Sequence, residues 1–232
     1  IIQNWLVPVF LDVKLDTVTP DITQLEMAIE EGKTKAVVLA HPLGNAFDAE
    51  SIRSICDEFG IFLIEDSCDA LGSTLNGKKL GTFGDISTLS FYPAHHLCGG
   101  EAGAVITKSP MIDMVVESFR SWGRSCFCEP GQDNTCGHRF SQKASGDLPL
   151  GYDHKFTYSH IGYNIKGSEF SSALLDAQMD KLDYFVAMRR LNWKRLHEGL
   201  DKYSKYFKFM KPTEGSSPAW FGFLISVKEP SP

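Results

Sequence analysis

The stretch AVVLAHPLGNAFDAESIRSICDEFGIFLIE, residues 36–65, decides the fold of this chain. It places two short apolar runs, Ala36–Ala40 and Ile61–Glu65, on either side of a segment whose apolar residues recur with helical spacing. A continuous apolar run is typical of a strand buried on both faces, and two parallel strands are usually joined by a helix. We predict that helix over Asp48–Phe59, ended by Gly60. The stretch therefore predicts a parallel strand–helix–strand unit.

The rest of the chain continues this alternation. Apolar runs bounded by turn residues predict further strands, and apolar residues at intervals of three and four predict further helices. The pattern as a whole indicates an α/β protein with a mostly parallel, layered sheet, interrupted by one long polar loop of the kind that is usually functional. The further strands are predicted at Leu6–Leu11, Ile86–Phe91, Gly103–Thr107 and Trp220–Val227, the further helices at Thr23–Glu31, Met111–Trp122 and Ser168–Tyr203, and the loop at Gly123–Ser159.

Composition narrows the class of protein. The 232 residues suffice for one large domain or for one domain and part of another, and a 43% apolar share is typical of a globular protein with a sizeable core. The formal net charge of -6 argues against general nucleic-acid binding. The sequence has no signal-peptide pattern and no run of about 18 apolar residues, so we expect a cytoplasmic protein. Because the chain begins inside a predicted strand and without Met, we expect an internal fragment that lacks both ends of a longer protein.

The segment SFYPAHHLCGGEAG, Ser90–Gly103, carries the strongest functional signal. It resembles the active-site segment of the DegT/DnrJ/EryC1/StrS family of sugar aminotransferases, in which the sixth residue is the lysine that binds pyridoxal phosphate (PLP) covalently. His95 occupies that position here. The resemblance implies a PLP-dependent transferase type I fold, similar to aspartate aminotransferase, with three layers around a mostly parallel sheet. It also implies PLP or pyridoxamine phosphate (PMP) as a cofactor held without a covalent anchor.

Asp66 is the candidate partner of the cofactor ring, because it follows the second apolar run. In doubly wound sheets, ligands bind beyond the carboxyl ends of the strands, and a carboxylate there can pair with a protonated pyridine nitrogen. By its spacing alone, Asp66 is more often the cap of a turn or helix. The segment Glu65–Gly72 resembles the family motif Glu-Asp-x-x-x-x-Leu-Gly, and this resemblance implies the ring-binding role for Asp66.

The same resemblance assigns two residues to the cofactor phosphate. Ser90 matches a serine that binds this phosphate. Asn164, within Gly162–Asn164, matches an asparagine that reaches the phosphate from the other subunit, so the resemblance also implies a homodimer. The three residues Gly-Tyr-Asn are a weak motif by themselves, and the assignment depends on the matches elsewhere in the chain.

The histidine indicates a subgroup of the family. The sugar 3-dehydratases replace the lysine with a histidine, and the resemblance implies that His95 acts as their general base. An imidazole exchanges protons near neutral pH but cannot hold the cofactor covalently as the lysine does. The adjacent His96 has no support from a motif, and we interpret it as structural or secondary.

The cysteines indicate one type of 3-dehydratase. Without a secretory signal, a disulfide framework is the weaker interpretation of six cysteines. A zinc site is one alternative for the close triplet in the long loop, and free buried thiols are another. The four-cysteine spacing resembles the [2Fe-2S] ligand set of the CDP-4-keto-6-deoxyglucose 3-dehydratases of lipopolysaccharide biosynthesis. The implied ligands are Cys68, Cys126, Cys128 and Cys136, whereas Cys56 is expected in the core and Cys98 in the lining of the pocket.

The resemblance implies an activity and its partners. The activity is the PMP- and [2Fe-2S]-dependent removal of the C3 hydroxyl from a CDP-4-keto-6-deoxy sugar, in the synthesis of a 3,6-dideoxysugar of the O-antigen. The implied electron donor is a separate NADH-dependent flavin/iron–sulfur reductase. The alternatives are an iron-free GDP-sugar 3-dehydratase or a sugar aminotransferase, a noncatalytic regulatory protein, and a zinc-binding structural protein. We predict that residues 1–195 belong to a large cofactor-binding domain and that residues 196–232 begin a small C-terminal domain.

Overall fold

The computed structural model describes residues 1–128, 131–141 and 147–228. Within these residues, helices and strands alternate along the first half of the chain, and two helices precede the last strands. The helices are α1 (Ile22–Ala28), α2 (Ala49–Phe59), α3 (Pro110–Arg120), α4 (Glu169–Met179) and α5 (Leu182–Leu200). The strands are β1 (Ala36–Ala40), β2 (Phe62–Asp66), β3 (Thr74–Leu75), β4 (Lys78–Lys79), β5 (Ile86–Ser90), β6 (Gly103–Thr107), β7 (Phe207–Phe209), β8 (Ser216–Ser217) and β9 (Ile225–Val227).

The largest sheet has the strand order β1, β2, β5, β6. Strand β2 pairs in parallel with β1 on one side and with β5 on the other. In this register Asp66 lies opposite Ala40 and Thr88. The four predicted strands of this sheet are therefore confirmed, with their ends shifted by one residue at most. The residues that follow β2 and β5 lie at the carboxyl edge of a parallel sheet, where ligands bind in folds of this type.

Helix α2 forms where the local sequence predicts it. The Asp48 side chain accepts a hydrogen bond from the backbone N–H of Ser51 at 3.1 Å, and this bond satisfies one of the free donors of the first turn. Gly60 ends the helix in the left-handed conformation, with a φ of 63°. Ile52 and Cys56 are buried on the face that packs on the sheet, together with Leu63 of β2. The core position predicted for Cys56 is confirmed.

Two other predicted helices are present with altered ends, and the long one is divided. The helices predicted at 23–31 and 111–122 are observed as α1 and α3. The single helix predicted over Ser168–Tyr203 is wrong, because α4 ends at Met179 and α5 begins at Leu182. The amide of Lys181 donates to the carbonyl of Gln178 at 2.9 Å, a three-residue bond that tightens the last turn. Neither glycine nor proline marks this break. The local sequence therefore gives no signal that the helix ends here.

Two strand predictions are also corrected. Leu6–Leu11 does not form a strand; Val7 and Phe10 are 85% and 90% exposed, and Pro8 lacks the N–H that a ladder needs. Of the segment Trp220–Val227, only Ile225–Val227 pairs as a strand, with β7. Its first residues are instead fixed to loops by hydrogen bonds, such as that from Phe221 N to Leu43 O. Apolar composition alone does not distinguish a strand from an extended segment whose partners are loops.

The chain divides into two compact units. The first unit comprises Ile1–Ile106 with Glu169–Pro232, and the second unit comprises Thr107–Ser168. The predicted boundary between a large domain ending at 195 and a small domain beginning at 196 is a different division and stays a prediction. Within the part of the chain that the structure describes, every helix is too short or too polar to cross a membrane.

Candidate active site

Asp66 ends strand β2 and is held in place by two donors. Its Oδ1 atom accepts hydrogen bonds from the backbone N–H of Cys68 at 3.1 Å and from the hydroxyl of Thr88 at 3.2 Å. Thr88 lies beside it on β5, so the parallel register of the sheet provides one of these donors. The structure thus presents a partly buried, fixed carboxylate at the carboxyl edge of the sheet.

The segment after β5 forms a closed loop, Phe91–Ala102, which we call the His95 loop. Its two ends meet through a hydrogen bond from Phe91 N to Ala102 O, and Gly99 N donates back to Phe91 O. Ser90 lies at the end of β5, immediately before the loop, and its Oγ accepts a bond from the amide of Tyr92 at 3.3 Å. The sequence stretch expected to hold both a phosphate-binding serine and a base is therefore one connected feature of the sheet edge.

His95 lies in this loop, and one nitrogen of its ring, Nδ1, has no hydrogen-bond partner among the described residues. Its side chain is 15% exposed, and its Nδ1 atom is buried without a hydrogen-bond partner among the described residues. The nearest acid is Asp69, whose Oδ1 lies 3.4 Å from Nδ1 but lacks the geometry of a hydrogen bond. The ring of Phe221 packs against the imidazole with a centroid separation of 4.9 Å. A buried polar atom without a partner is unfavourable, and it is explained by an ordered water, by strain or by a catalytic role.

The charges around His95 are partly desolvated. Burial raises the pKa of Asp69, although the nearby His95 acts in the opposite direction. Burial likewise lowers the pKa of His96 to about 4, so this imidazole is neutral near pH 7. His96 lies 4% exposed and its Nε2 donates to the carbonyl of Ala219 at 2.8 Å. The bond to Ala219 O agrees with the structural interpretation of His96, although its Nδ1, like that of His95, is buried without a hydrogen-bond partner among the described residues.

Glu65, to which the sequence analysis gave no role, is the centre of a buried hydrogen-bond network next to Asp66. Glu65 is fully buried beside Asp66, and its carboxylate accepts hydrogen bonds from His41 Nε2 and from the amides of Phe83 and Gly84. The amide of Phe47 donates to His41 Nδ1, so the hydrogen-bonding pattern places the imidazole proton on Nε2. A glutamate inside an otherwise apolar strand was the available signal, because a buried carboxylate needs several donors.

The cysteine triplet lies within the second unit. Hydrogen bonds from the Thr135 side chain and from the backbone amide of Cys136 lower the pKa of Cys128 to about 6. Cys126 interacts with Cys128, and burial raises the pKa of Cys126. Cys68 belongs to the first unit, where burial and the Asp66 carboxylate raise its pKa to about 11. The four predicted iron ligands therefore include a triplet that the structure brings together and a fourth thiol in the other unit.

A cavity of about 260 Å³ adjoins the triplet, within the second unit. Its walls include two of the thiols and an excess of cationic side chains. Arg120, Arg139 and Lys155 form ion pairs with neighbouring acids. Arg124 lies instead 5.4 Å from the Trp122 ring, and its Nε is buried without a partner in the described part of the chain. Asn164 is also in this unit, paired with Ser121 by an isolated β-bridge.

The residues present fit a pyridine-ring cofactor better than they fit a metal cluster. The fixed carboxylate of Asp66 suits a protonated ring nitrogen, and on the same sheet edge His95 Nδ1 has no hydrogen-bond partner among the described residues. By contrast, among residues 1–128, 131–141 and 147–228, no three or more His, Cys, Asp or Glu side chains are arranged to hold a metal ion. The iron assignment therefore rests on the sequence.

The fold and this edge define a protein of the PLP-dependent aminotransferase fold. The chain belongs to the DegT/DnrJ/EryC1/StrS aminotransferase family, whose model matches residues 1–231. The fold class and family predicted from the sequence are thereby confirmed.

Two relatives and one solved structure show the range of similar proteins. The chain is 51% identical to the lipopolysaccharide biosynthesis protein RfbH of Salmonella typhimurium, over 99% of the chain and 52% of the relative. It is 49% identical to dTDP-4-dehydro-2,6-dideoxy-D-glucose 3-dehydratase of Saccharopolyspora spinosa, over 97% and 48%. The structure of the E. coli GDP-4-keto-6-deoxy-D-mannose-3-dehydratase with bound hydrated PLP superposes with a TM-score of 0.77 at 29% identity, covering 96% of this chain and 54% of the other. The chain thus spans about half the length of the relatives it matches.

Proposed function

We propose that this chain forms the cofactor-binding part of a PMP-dependent nucleotide-sugar 3-dehydratase. The observation that carries the proposal is His95 on the loop where the family has its covalent lysine; its buried Nδ1 has no hydrogen-bond partner among the described residues and lies 3.4 Å from Asp69 Oδ1. An aminotransferase needs that lysine, whereas a dehydratase needs a proton acceptor that does not capture the cofactor. The names of the relatives from Saccharopolyspora spinosa and E. coli, both 3-dehydratases, support the same reaction class.

Three residues are proposed to bind the cofactor. The Asp66 carboxylate would pair with the ring nitrogen, because it is anchored by Cys68 N and Thr88 and is oriented before the ligand arrives. Ser90 would donate its hydroxyl to the phosphate from the end of β5. The partner subunit's Asn164 would complete the phosphate site in a homodimer. Preorganised hydrogen bonds of this kind lower the cost of ordering a ligand.

The proposed chemistry assigns one proton transfer to His95. When bound, PMP supplies an amine for the sugar C4 ketone and a ring that accepts electron density from the reacting carbon. His95 would accept the proton released at the C4′ carbon and would pass it to the departing C3 hydroxyl, which would leave as water. A positioned general base contributes about 10² to 10⁴ in rate. Phe221 packs against one side of the imidazole, with ring centroids 4.9 Å apart.

The finer assignments extend this proposal. We propose a CDP-4-keto-6-deoxyhexose as the substrate and a [2Fe-2S] cluster on Cys68, Cys126, Cys128 and Cys136 as the electron carrier. Reduction of the dehydrated sugar would draw electrons from an NADH-dependent flavin/iron–sulfur reductase. The spacing of the cysteines and the 51% identity to RfbH support this assignment. The low pKa of Cys128 also favours a metal ligand, because thiolates rather than thiols bind metals.

A second candidate is the iron-free GDP-sugar 3-dehydratase. The observation that favours it is that the described residues contain no group arranged to hold a metal. The similarity to the E. coli enzyme, which is a GDP-4-keto-6-deoxy-D-mannose-3-dehydratase, agrees with it. Both candidates share His95 as base and the same cofactor residues. They differ in the role of the long loop Gly123–Ser159, which we call the cysteine loop.

Metal and cofactor analysis of the anaerobically purified holoenzyme tests the proposal. We expect about two irons and two acid-labile sulfides per chain, together with PMP-dependent C3 dehydration of CDP-4-keto-6-deoxyglucose. Dehydration without iron, with GDP-4-keto-6-deoxymannose as the preferred substrate, would establish the second candidate. Amino transfer without dehydration would refute both, and zinc in place of iron would make the cysteine loop structural.

A further inference from the structure

Arg189 of helix α5 connects the His95 loop to a second segment. Its Nη2 donates to the carbonyl of His95 at 3.3 Å, and its Nη1 donates to the carbonyl of Trp220 at 3.2 Å. A weaker contact of 3.5 Å joins the same nitrogen to Phe221 O. One guanidinium therefore holds two chain segments that lie more than 120 residues apart in the sequence.

We call the second segment, Ser217–Phe221, the strap. Several other hydrogen bonds hold it in place. Ala219 N donates to the Ser73 hydroxyl at 2.7 Å, and Ala219 O accepts from His96. Phe221 N donates to a carbonyl in the turn after β1. Trp220 stacks in parallel on Trp193 of α5, with ring centroids 4.4 Å apart. The strap thereby carries the Phe221 ring to its contact with the His95 imidazole.

The environment of Arg189 indicates a positioning role. Burial lowers the pKa of this guanidinium, so its charge is held partly out of water. Its hydrogen bonds to described residues go to main-chain carbonyls. A desolvated cation is costly unless its donors are satisfied, and here their geometry fixes the two segments that flank the base. The planar fork of arginine reaches both carbonyl groups at once, which a lysine ammonium cannot do.

We propose that Arg189 is a positioning residue for His95. It fastens the backbone of His95 to the strap and so keeps the imidazole against Phe221 and its Nδ1 beside Asp69. This inference rests on the proposed function, in which His95 is the base. The groups around the imidazole are Asp69, Tyr92, His96, Phe221 and Arg189 itself.

The test isolates the proton transfer from the rest of turnover. In the holoenzyme, exchange of the C4′ hydrogen of PMP for deuterium is followed by NMR in the presence of substrate. Arg189→Gln should slow this exchange about 10- to 100-fold, because small displacements of a catalytic group cost that much, while the Kd for PMP stays within about threefold. Arg189→Lys keeps the charge and should recover only part of the loss. It also serves as the second variant if Arg189→Gln folds poorly.

Two controls separate positioning from general damage. Arg190→Gln removes the bonds from the neighbouring arginine to Pro218 O and Ser217 O without touching His95, and Arg195→Gln alters an exposed position of the same helix. Neither should slow exchange more than about threefold. In a His95→Asn background, Arg189→Gln should cause no further loss, because it acts through His95.

A direct spectroscopic readout completes the test. In the cofactor-free protein, the ring resonance of His95, assigned by its absence in His95→Asn, should shift or broaden in Arg189→Gln and stay unchanged in Arg195→Gln. Unchanged exchange in Arg189→Gln, an equal loss in Arg190→Gln, or a full further loss in the His95→Asn background would overturn the inference alone. Normal exchange in His95→Asn itself would overturn the proposed base and this inference with it.

Discussion

The carboxyl edge of the sheet and the cysteine loop are built by different forces. At the edge, parallel strands fix the position of Asp66, and backbone hydrogen bonds close the His95 loop. Side-chain ion pairs between Arg139, Lys155 and Asp133 instead link parts of the cysteine loop. The first region is therefore preorganised by its backbone. The second depends on charged side chains and, in our proposal, on a bound cluster.

The thiols show the same contrast. Burial and a neighbouring carboxylate raise the pKa of Cys68 at the sheet edge, whereas hydrogen bonds to the sulfur lower that of Cys128 in the loop. Cys128 is thus closer to the thiolate form that metals bind, and Cys68 has to lose a firmly held proton first. A metal bound by both should therefore load more readily at higher pH. The comparison separates the sheet edge, which is held by backbone hydrogen bonds, from the cysteine loop, which in our proposal is completed by a bound cluster.

The largest effect is expected at the preorganised edge. His95→Asn should lower the rate of C3 dehydration by about 10² to 10⁴, because it removes the proposed base without changing the fold. The thermal unfolding midpoint and the iron content should match those of the parent enzyme. His138→Asn, at an exposed position of the other region, is the matched control and should keep the dehydration rate. Comparable loss in both variants would remove the distinction between the regions.

The next effect concerns the buried network under that edge. Glu65→Gln should destabilise the protein by about 1–3 kcal/mol in urea unfolding, because a Gln amide cannot accept all the hydrogen bonds that the buried Glu65 carboxylate accepts and leaves a donor unsatisfied. The exposed Glu58→Gln should change stability by less than about 0.5 kcal/mol. A small effect at Glu65 would mean that the edge is not held by this network.

Acid stability sharpens the same point. Burial by itself raises the pKa of Glu65, but the hydrogen bonds from His41, Gly84 and Gly81 outweigh it, and the folded-state pKa lies below the ordinary value. The stabilisation is therefore complete above the unfolded-state pKa and is lost as the pH falls through the folded-state value. Urea midpoints measured from pH 7 downward should decline more steeply in the parent protein than in Glu65→Gln. Parallel curves would contradict the assignment.

The loop is tested by removing one thiol. Cys128→Ser should reduce the iron content from about two per chain to near zero, while the dehydration half-reaction continues. Cys98→Ser alters a thiol outside the proposed ligand set and should retain the iron. If iron persists in Cys128→Ser while PMP binding fails, the cysteine loop has been assigned to the wrong function.

The smallest effect is local. Gly60→Ala should cost about 1 kcal/mol, because Gly60 ends α2 at a φ of 63° in open space, where only the backbone conformation opposes a Cβ. Ser54→Ala on the exposed side of the same helix should be nearly neutral. Chemical denaturation of both variants measures the difference. A neutral Gly60→Ala would show that this C-cap contributes little to the stability of helix α2.

Much of the sheet could be predicted from particular residues. Local sequence was sufficient to predict the strands at 36–40 and 61–65. It also predicted the ends of helix α2, where Asp48 is the N-cap and Gly60 is the C-cap, because each acts on the backbone next to it. The break between α4 and α5 could not be predicted in this way, because no helix-breaking residue marks it. There Gln178 exchanges two hydrogen bonds with the backbone of Cys98, a contact between distant parts of the chain.

The sequence by itself determined the four strands of the largest sheet, helices α1 to α3, the family, and the residues His95, Asp66 and Ser90 as candidates, because these follow from local pattern and motif. Tertiary structure decided the state of those residues. Only the folded chain buries Nδ1 of His95 without a hydrogen bond from any described residue, and only the folded chain brings Arg189 and Phe221 to His95 from the far end of the sequence. The physical reason is that burial, desolvation and hydrogen-bond satisfaction are properties of long-range contacts, and no local pattern encodes them.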